Sequence, residues 1–168
     1  MLTEICGYLK NWFNRRPDGT DYPKFKGEFT IKRGVIKYSD GTDLPMQDGQ
    51  YMRILGSVFN NGVFGFSTTP VPGENSAQAP ILMDETFEGE VWSMAVPVDV
   101  IALDKDITDW MAINGRADSA ALSPFNSESF GGYSYSKSGG NRGGSGGNQT
   151  GISWMDVFGS RLSRYKKL

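Results

Sequence analysis

Residues 26–38 read KGEFTIKRGVIKY, and this stretch determines the expected fold class. Phe29 and Ile31 alternate with polar residues, which is the period of a β-strand with one buried face. The pair Arg33-Gly34 is typical of a turn, and residues 35–38 then continue as a second strand. The segment therefore predicts two consecutive β-strands.

The strand pattern continues as far as residue 96. Further strands are predicted at 51–55 and from Phe87 to Val96, and three prolines within 67–82 predict an exposed loop. Five short strands suggest a small twisted sheet that curls into a barrel. We therefore expect residues 26–96 to form a barrel-like, β-rich module.

The strongest local hairpin signal in the chain is Asn60-Asn61-Gly62. Asparagine and glycine tolerate the positive φ angles that a tight hairpin turn requires. The signal predicts that the flanking segments, residues 58–59 and 63–64, pair with each other as the two arms of a hairpin.

Apolar residues recur at helical spacing in three segments outside this module. The stripes are Leu2, Ile5, Leu9, Trp12 and Phe13; Val100, Leu103, Ile107, Trp110 and Met111; and Met155, Phe158, Leu162 and Tyr165. Such stripes are typical of amphipathic helices that pack on a core. The expected fold class is α+β, with helical segments in residues 1–25 and 97–137 on either side of the β-rich module at residues 26–96.

A glycine-rich segment precedes the last helix. Residues 139–151 contain seven glycines, and such a composition cannot bury enough surface to offset the entropy of ordering. We therefore expect residues 138–152 to be a flexible tether for a helix at 153–168. Ser153 is placed to cap this helix, with Asp156 as its capping-box partner. The helix is expected either to fold back on its own chain or to dock on another subunit.

The composition excludes much catalytic chemistry. The chain has one cysteine, Cys6, and no histidine. It therefore cannot form an internal disulfide, a Cys/His zinc site or a histidine-dependent catalytic triad. Cys6 is expected to be a buried or half-buried structural residue. We expect no metal, no cofactor and no enzymatic activity.

Charge and hydropathy limit the possible partners. Lys and Arg number 17 and Asp and Glu number 19, which gives a net charge of −2 and argues against a dedicated nucleic-acid binder. No apolar run approaches the ~20 residues that cross a bilayer, and the first residues lack the layout of a signal peptide. Synthesis in the cytoplasm and no membrane partner are expected.

Two further patterns allow weaker functional interpretations. The carboxylates Asp84, Glu85, Glu88 and Glu90 offer an acid/base pair in principle, but on a strand Glu88 and Glu90 share one face, which a solvated surface explains better. Residues 130–147 combine glycine with aromatic residues, as RNA-binding or single-strand-binding tracts do, yet they contain only one arginine. Glycine-rich phosphate-binding motifs are missing from the sequence.

Residues 127–135 read SESFGGYSY. This stretch resembles the Ser-Glu-Ser-x-Gly-Asp-Tyr-Ser motif of the head–tail connector (adaptor) proteins of long-tailed bacteriophages. The matching residues are Ser127, Glu128, Ser129, Gly131, Tyr133 and Ser134. The opening helix and the basic C-terminal helix are also similar to those of the family. Gly132 stands where the family has aspartate, and the β-rich module is absent from the simplest, all-helical members. The resemblance implies that residues 1–25 and 97–137 form the helical connector core. Residues 26–96 are then an insertion that decorates the ring or contacts a neighbouring neck protein, or alternatively the main module with the helices as its supports.

The resemblance implies a structural virion protein, made in the host cytoplasm, that forms a ring in the phage neck. The ring, typically of twelve copies, would join the portal protein to the stopper or tail-completion protein. Double-stranded DNA would pass through its lumen without sequence recognition. The net negative charge suits such a channel, because tight phosphate binding would slow the DNA.

The C-terminal helix is the expected docking element for the portal. Its docking residues are Phe158, Arg161, Leu162, Arg164, Tyr165, Lys166 and Lys167, with the apolar members as anchors and the cations as partners for acidic groups. Two alternatives stay open. One is a stopper or tail-completion protein with the β-rich module as its functional centre, and the other is an RNA- or single-strand-binding protein.

Overall fold

The computed structural model describes residues 1–70, 82–115 and 153–167 with their side chains, and residues 127–130 and 133–136 as backbone. The helices are α1 (Leu2–Leu9), α2 (Val98–Asn114) and α3 (Trp154–Leu162), the last followed by a 3-10 turn at Ser163–Tyr165. The strands are β1 (Lys24–Lys32), β2 (Val35–Tyr38), β3 (Tyr51–Leu55), β4 (Gly62–Gly65), β5 (Glu85–Met94), β6 (Ser127–Phe130) and β7 (Tyr133–Ser136). The expected α+β class is confirmed.

Five of the strands form one antiparallel sheet in the order β2-β1-β5-β3-β4. The central strand β5 pairs with β1 from Lys24↔Trp92 to Ile31↔Glu85. Within the described residues no ladder joins β2 to β4, so the sheet is open and the expected closure into a barrel is wrong. That expectation rested on the number of strands, which fixes neither their order nor the stagger that closure requires.

The turns between the strands agree with the sequence pattern at one position and differ at another. Arg33 and Gly34 both have positive φ, 49° and 79°, and join β1 to β2 as predicted. At the second position, β4 pairs with β3, and residues 58–59 lie in the connecting loop. The expected pairing of 58–59 with 63–64 is therefore wrong, because Gly56, with φ of 89°, turns the chain away directly after β3.

The backbones of β3 and β5 come very close together at Gly89. A Cβ atom on this residue would overlap the carbonyl oxygen of Leu55 and lie 3.2 Å from a ring carbon of Phe87. Gly89 also lies directly opposite Gly27 of β1. A glycine inside a strand often marks such a close approach, since any side chain would separate the two backbones.

A hydrophobic core lies on the sheet face that receives alternate residues of β1 and β5. The Phe29 ring is fully buried, with its centroid 5.1 Å from that of Tyr38 and 5.5 Å from that of Phe87. The buried members of this core are Phe29, Ile31, Ile36, Leu44, Met52, Ile54, Phe66, Leu82, Phe87 and Val91. The period of two seen in residues 26–38 is thus confirmed as one buried face.

Helix α1 ends at Leu9, whereas the apolar stripe from Leu2 to Phe13 predicted a longer helix. Lys10 adopts the left-handed conformation with φ of 51°, and the Asn11 N–H donates to the Cys6 carbonyl at 3.1 Å. This arrangement closes the helix in the manner of a Schellman cap. Cys6 is fully buried, as expected for a structural cysteine.

Each outer strand of the sheet has a backbone group occupied by the same chain. At β4 the Val63 N–H donates to the hydroxyl of Thr3 at 2.9 Å. At β2, Lys37 forms an isolated bridge with Asp43, and its ammonium lies 2.8 Å from that carboxylate. Contacts from α1 and from the loop after β2 therefore cover part of both edges.

The chain divides into two compact units, Met1–Ile101 with Tyr165–Leu168, and Ala102–Arg164. The boundary falls within α2, and α1 belongs to the same unit as the sheet. This division differs from the expected boundaries near residues 26 and 97. One physical reason that α1 belongs to the unit of the sheet is the hydrogen bond between Thr3 of α1 and Val63 of β4.

The two longer helices follow the predicted patterns with one correction. Val100, Leu103 and Ile107 of α2 are buried, as predicted. In α3 the capping box is confirmed, because the Ser153 hydroxyl accepts from the Asp156 N–H and the Asp156 side chain accepts from the Ser153 N–H. The buried residues of α3 are Trp154, Phe158 and Leu162, whereas Met155, which the predicted stripe included, is exposed.

Two expectations lie outside the described residues. They are the part of the predicted loop at 71–81 and the whole predicted tether at 138–152. Among the described helices, none is long and apolar enough to cross a lipid bilayer.

Candidate functional site: an apolar loop tip

The loop between β3 and β4 is built on two buried polar residues. Asn60 is 1% exposed and Ser57 is 6% exposed. The Asn60 amide forms reciprocal hydrogen bonds with the backbone of Met83, accepting from its N–H at 2.7 Å and donating to its carbonyl at 3.0 Å. The Asn60 N–H also donates to the Ser57 hydroxyl at 2.6 Å. One asparagine thus ties this loop to the segment that leads into β5.

Glu85, at the start of β5, completes this network as an acceptor. Its carboxylate accepts from the Ser57 hydroxyl, from the Val58 N–H at 2.8 Å and from the Asn60 amide at 3.0 Å. Burial raises the pKa of Glu85, but these hydrogen bonds outweigh that effect and hold the pKa below its ordinary value. The ionised Glu85 carboxylate therefore stabilises the folded state. This stabilisation is complete above the unfolded-state pKa of about 4.3 and is lost as the pH falls through the lower pKa of the folded state.

The same network holds three large apolar side chains in solvent. Val58 is 80% exposed, Phe59 62% and Met83 56%. We call these three residues the apolar tip. Isolated exposed apolar residues are ordinary on protein surfaces, but these three belong to two segments that buried hydrogen bonds join. A surface fixed in this way loses little conformational entropy when it binds a partner. The apolar tip is therefore suited to docking on another protein.

Replacing Asn60 with alanine is expected to lower the free energy of unfolding by about 2–4 kcal/mol, because the Met83 N–H and carbonyl lose their partners in a part-buried site. The adjacent Asn61 is exposed and provides a matched control. Its replacement with alanine should change the stability by no more than about 0.5 kcal/mol. Urea unfolding of both variants measures the difference, and equal losses would contradict the assigned role of Asn60.

Two of the three apolar docking residues predicted in the last helix are buried, and the third, Tyr165, is half-buried. Phe158 is 8% exposed and packs edge-on against Trp110 with ring centroids 6.4 Å apart, and Leu162 is fully buried. The Arg161 guanidinium lies 3.0 Å from the Asp106 carboxylate. These three residues are thus engaged within their own chain, and Phe158 and Leu162 are not exposed as anchors for a partner.

The remaining predicted docking residues lie in the unit that contains the sheet, except Arg164 at the end of the other unit. The Tyr165 hydroxyl donates to the Asp99 carboxylate at 3.0 Å, and its carbonyl accepts from the Asn11 amide at 3.0 Å. Lys166 and Lys167 are exposed. The Lys167 N–H donates to the Leu9 carbonyl, also at 3.0 Å. The structure therefore brings the end of the chain to the end of α1.

The described residues of the connector-like motif lie on two paired strands. β6 pairs with β7 in antiparallel register, from Ser127↔Ser136 to Phe130↔Tyr133. Ser129 thus lies opposite Ser134, and Glu128 opposite Tyr135. The alternation of aromatic and small residues in this stretch corresponds to a strand, as its period of two indicates.

The carboxylates weighed as acid/base candidates do not converge on one site. Glu85 is enclosed by the loop network, whereas Glu90 accepts from the Trp92 indole at 2.7 Å and lies 2.6 Å from the Lys26 ammonium. Glu88 and Glu90 lie on one face of β5 and alternate with the buried Phe87 and Val91, as predicted. No group of three or more metal-ligating side chains occurs in the part of the chain that the structure describes.

Sequence reasoning missed the apolar tip. Val58 and Phe59 were assigned to a strand because two apolar residues beside a turn signal fit the hairpin pattern. The signal that could have separated them is Gly56-Ser57, which interrupts the pattern between the third strand and this pair. Comparison of the chain with models of protein families, with curated proteins and with solved structures finds no match.

Proposed function

We propose that this chain is a structural protein of the phage neck, a head–tail connector that forms a ring between the portal and the stopper or tail. The observation that carries the proposal is the apolar tip, three exposed apolar side chains on segments fixed by the network of Asn60 and Glu85. An exposed aromatic side chain on a backbone that buried hydrogen bonds hold in place is suited to act as an anchor in a protein interface. The proposal assigns no chemistry to the chain.

Two features of the sequence support the same proposal. The motif-like residues of β6 and β7 lie between α2 and the basic C-terminal helix α3 in the chain, and this order of elements agrees with the resemblance. The single aspartate-to-glycine departure at Gly132 leaves the other motif positions in place. In a ring, each copy contacts its neighbour through two different surfaces, so an anchor on one surface can serve every contact between neighbours.

The test is the addition of the purified chain to heads that carry a portal but no neck. Electron microscopy should show a ring at the portal vertex. Phe59→Ser should reduce its occupancy by about tenfold, since a central aromatic anchor commonly contributes this much or more to binding. Ile113→Ser, at an apolar residue that is also exposed but lies on α2, is the control and should bind like the wild type.

Two outcomes would overturn the proposal. One is a wild-type chain that never joins portal-bearing heads under conditions in which the heads are intact. The other is equal binding by Phe59→Ser and the wild type, which would remove the role of the apolar tip. Because Phe59 is mostly exposed, its replacement should leave the fold intact, and thermal unfolding checks this.

One observation favours a stopper or tail-completion protein as the second candidate. The sheet belongs to the unit that also contains α1, and this supports a chain in which the β-rich part is a principal module. Imaging of assembled particles separates the two candidates. A connector contacts the portal directly, whereas a stopper is separated from the portal by another protein.

A further inference from the structure

Positively charged side chains from distant parts of the sequence surround Asp21 in the unit that contains the sheet. The Lys24 ammonium lies 2.7 Å from the Asp21 carboxylate, and Arg15 forms an isolated backbone bridge with Asp21. The hydrogen bond from Lys24 holds the pKa of Asp21 below its ordinary value, and the charges of Arg15 and Lys167 act in the same direction. Residues 15, 21, 24 and 167 are therefore neighbours.

A row of alternating cations and indole rings extends from Lys24 across the sheet. Lys24 and Arg53 lie on either side of Trp92 in the strand register. The Lys24 ammonium is 4.7 Å and the Arg53 guanidinium 4.9 Å from the centre of the Trp92 ring. The guanidinium also lies 3.4 Å from the centre of the Trp12 ring. The indole rings of Trp12 and Trp92 thus hold the Arg53 guanidinium in position.

Arg53 differs from the other cations of this row in its hydrogen bonding. Lys24 pairs with Asp21, and Lys26 pairs with Glu90. Within the described residues, no hydrogen bond or ion pair to the Arg53 guanidinium is present. A stacked guanidinium keeps its in-plane N–H groups directed outward, where they can bind a planar anion with two parallel hydrogen bonds.

The C-terminal residues extend the same surface. The Lys167 backbone is bonded to the end of α1, and the Lys166 ammonium lies 5.4 Å from the centre of the Tyr8 ring. We call Arg15, Lys24, Arg53, Lys166 and Lys167 the basic patch. Five cations and two close carboxylates, Asp21 and Glu90, thus form a region of net positive charge on a chain whose net charge is −2. Such segregation of charge is typical of surfaces that steer and bind an oppositely charged partner.

We propose that the basic patch is a docking surface for a protein partner that presents several carboxylates, with Arg53 as its central hydrogen-bonding anchor. This inference does not depend on the proposed function, because the patch is defined by contacts within one unit. Arginine held between aromatic rings is characteristic of the residues that contribute most to protein interfaces. The carboxylate is the anion that matches the fork of its guanidinium.

Acidic protein fits the basic patch better than nucleic acid does. Single-strand binders stack bases on open aromatic faces. Here the Arg53 guanidinium lies over the ring of Trp12, and Arg53 and Lys24 both lie over the ring of Trp92, so these ring faces are already occupied by cations. The carboxylates of Asp21 and Glu90 lie among the cations and would repel a continuous row of phosphates. Discrete carboxylates on a partner can avoid them.

The experiment measures binding of a fluorescent oligoglutamate peptide to the full chain by anisotropy, over a series of salt concentrations. The peptide should bind, with an affinity that falls as salt rises. Arg53→Lys keeps the charge but removes the fork, and should weaken binding by about fivefold. Lys167→Gln, at an exposed residue, should weaken it by about twofold to fivefold. Lys105→Gln is the matched control, an exposed cation on α2 outside the patch, and should bind like the wild type.

A short DNA duplex in the same assay provides the competing outcome. Duplex binding tighter than peptide binding at equal salt, and weakened by the same variants, would overturn the proposal in favour of a nucleic-acid surface. Absence of peptide binding at low salt would also overturn it. So would a result in which Arg53→Lys and Lys167→Gln, each tested as a single variant, both bind the peptide as tightly as the wild type. Thermal unfolding of each variant confirms that the chain is folded, so a loss of binding is not a loss of structure.

Discussion

Replacing Gly89 with alanine is expected to lower the free energy of unfolding by about 3 kcal/mol or more, enough to unfold a marginally stable chain. The added methyl group would overlap the Leu55 carbonyl oxygen, which is a backbone atom and cannot rotate away. Relief of the overlap requires β3 to separate from β5. Because β5 is the central strand, such a separation would disrupt both halves of the sheet.

Gly65→Ala is the control for this prediction. Gly65 also lies in a strand, but a Cβ atom there meets no other atom within 4 Å. Alanine at this position should be neutral or stabilising by up to about 1 kcal/mol, since it loses less backbone entropy on folding than glycine does. Urea unfolding followed by circular dichroism compares the two variants. If Gly89→Ala were as stable as Gly65→Ala, the close approach of β3 and β5 would be disproved.

Replacing Leu162 with alanine is expected to cost about 2–5 kcal/mol, the range for a fully buried leucine. The result bears directly on the C-terminal helix, which the sequence allowed either to fold back or to dock elsewhere. A helix that docks only on a partner would have its apolar residues in solvent in the free chain. Leu162→Ala would then have little effect on the stability of the free protein.

Met155→Ala is the matched control on the same helix. Met155 is 45% exposed and similar in size to leucine, so its truncation should cost no more than about 0.5–1 kcal/mol. Thermal or urea unfolding of the purified chains gives both values. Equal effects of the two substitutions would show that α3 is not packed as described, and would return Phe158 and Leu162 to the set of candidate anchors.

The sequence predicted those strands, turns and caps that depend only on residues close together in the chain. The alternation at Phe29 and Ile31, the turn at Arg33-Gly34 and the capping box of Ser153 and Asp156 each depend on residues within a few positions of one another. The strand order could not be predicted in the same way. Pairing of β5 with both β1 and β3 joins residues far apart in the sequence, and periodicity carries no information on which strands meet.

The apolar tip and the basic patch could not be predicted from the sequence for the same reason, because each depends on contacts between residues far apart in the chain. Val58 and Phe59 are exposed because Glu85, far along the chain, accepts hydrogen bonds from their loop. The basic patch joins Arg15 to Lys167, and the net charge of the chain conceals this clustering. The cations at the end of the last helix predict a docking surface, whereas no local pattern in the sequence joins Arg15 and Lys24 to them.

The occupied edges of the sheet restrict how copies of this chain can associate. Thr3 takes the outward N–H of Val63, and the Lys37–Asp43 bridge lies along β2, so a foreign strand finds few unpaired backbone groups at these points. Strand addition between copies is therefore hindered at these points, and this opposes the growth of a continuous cross-β sheet. At these points the association of copies through side chains is favoured over strand addition, and substitution of surface residues would weaken such association without disturbing the backbone ladders of the sheet.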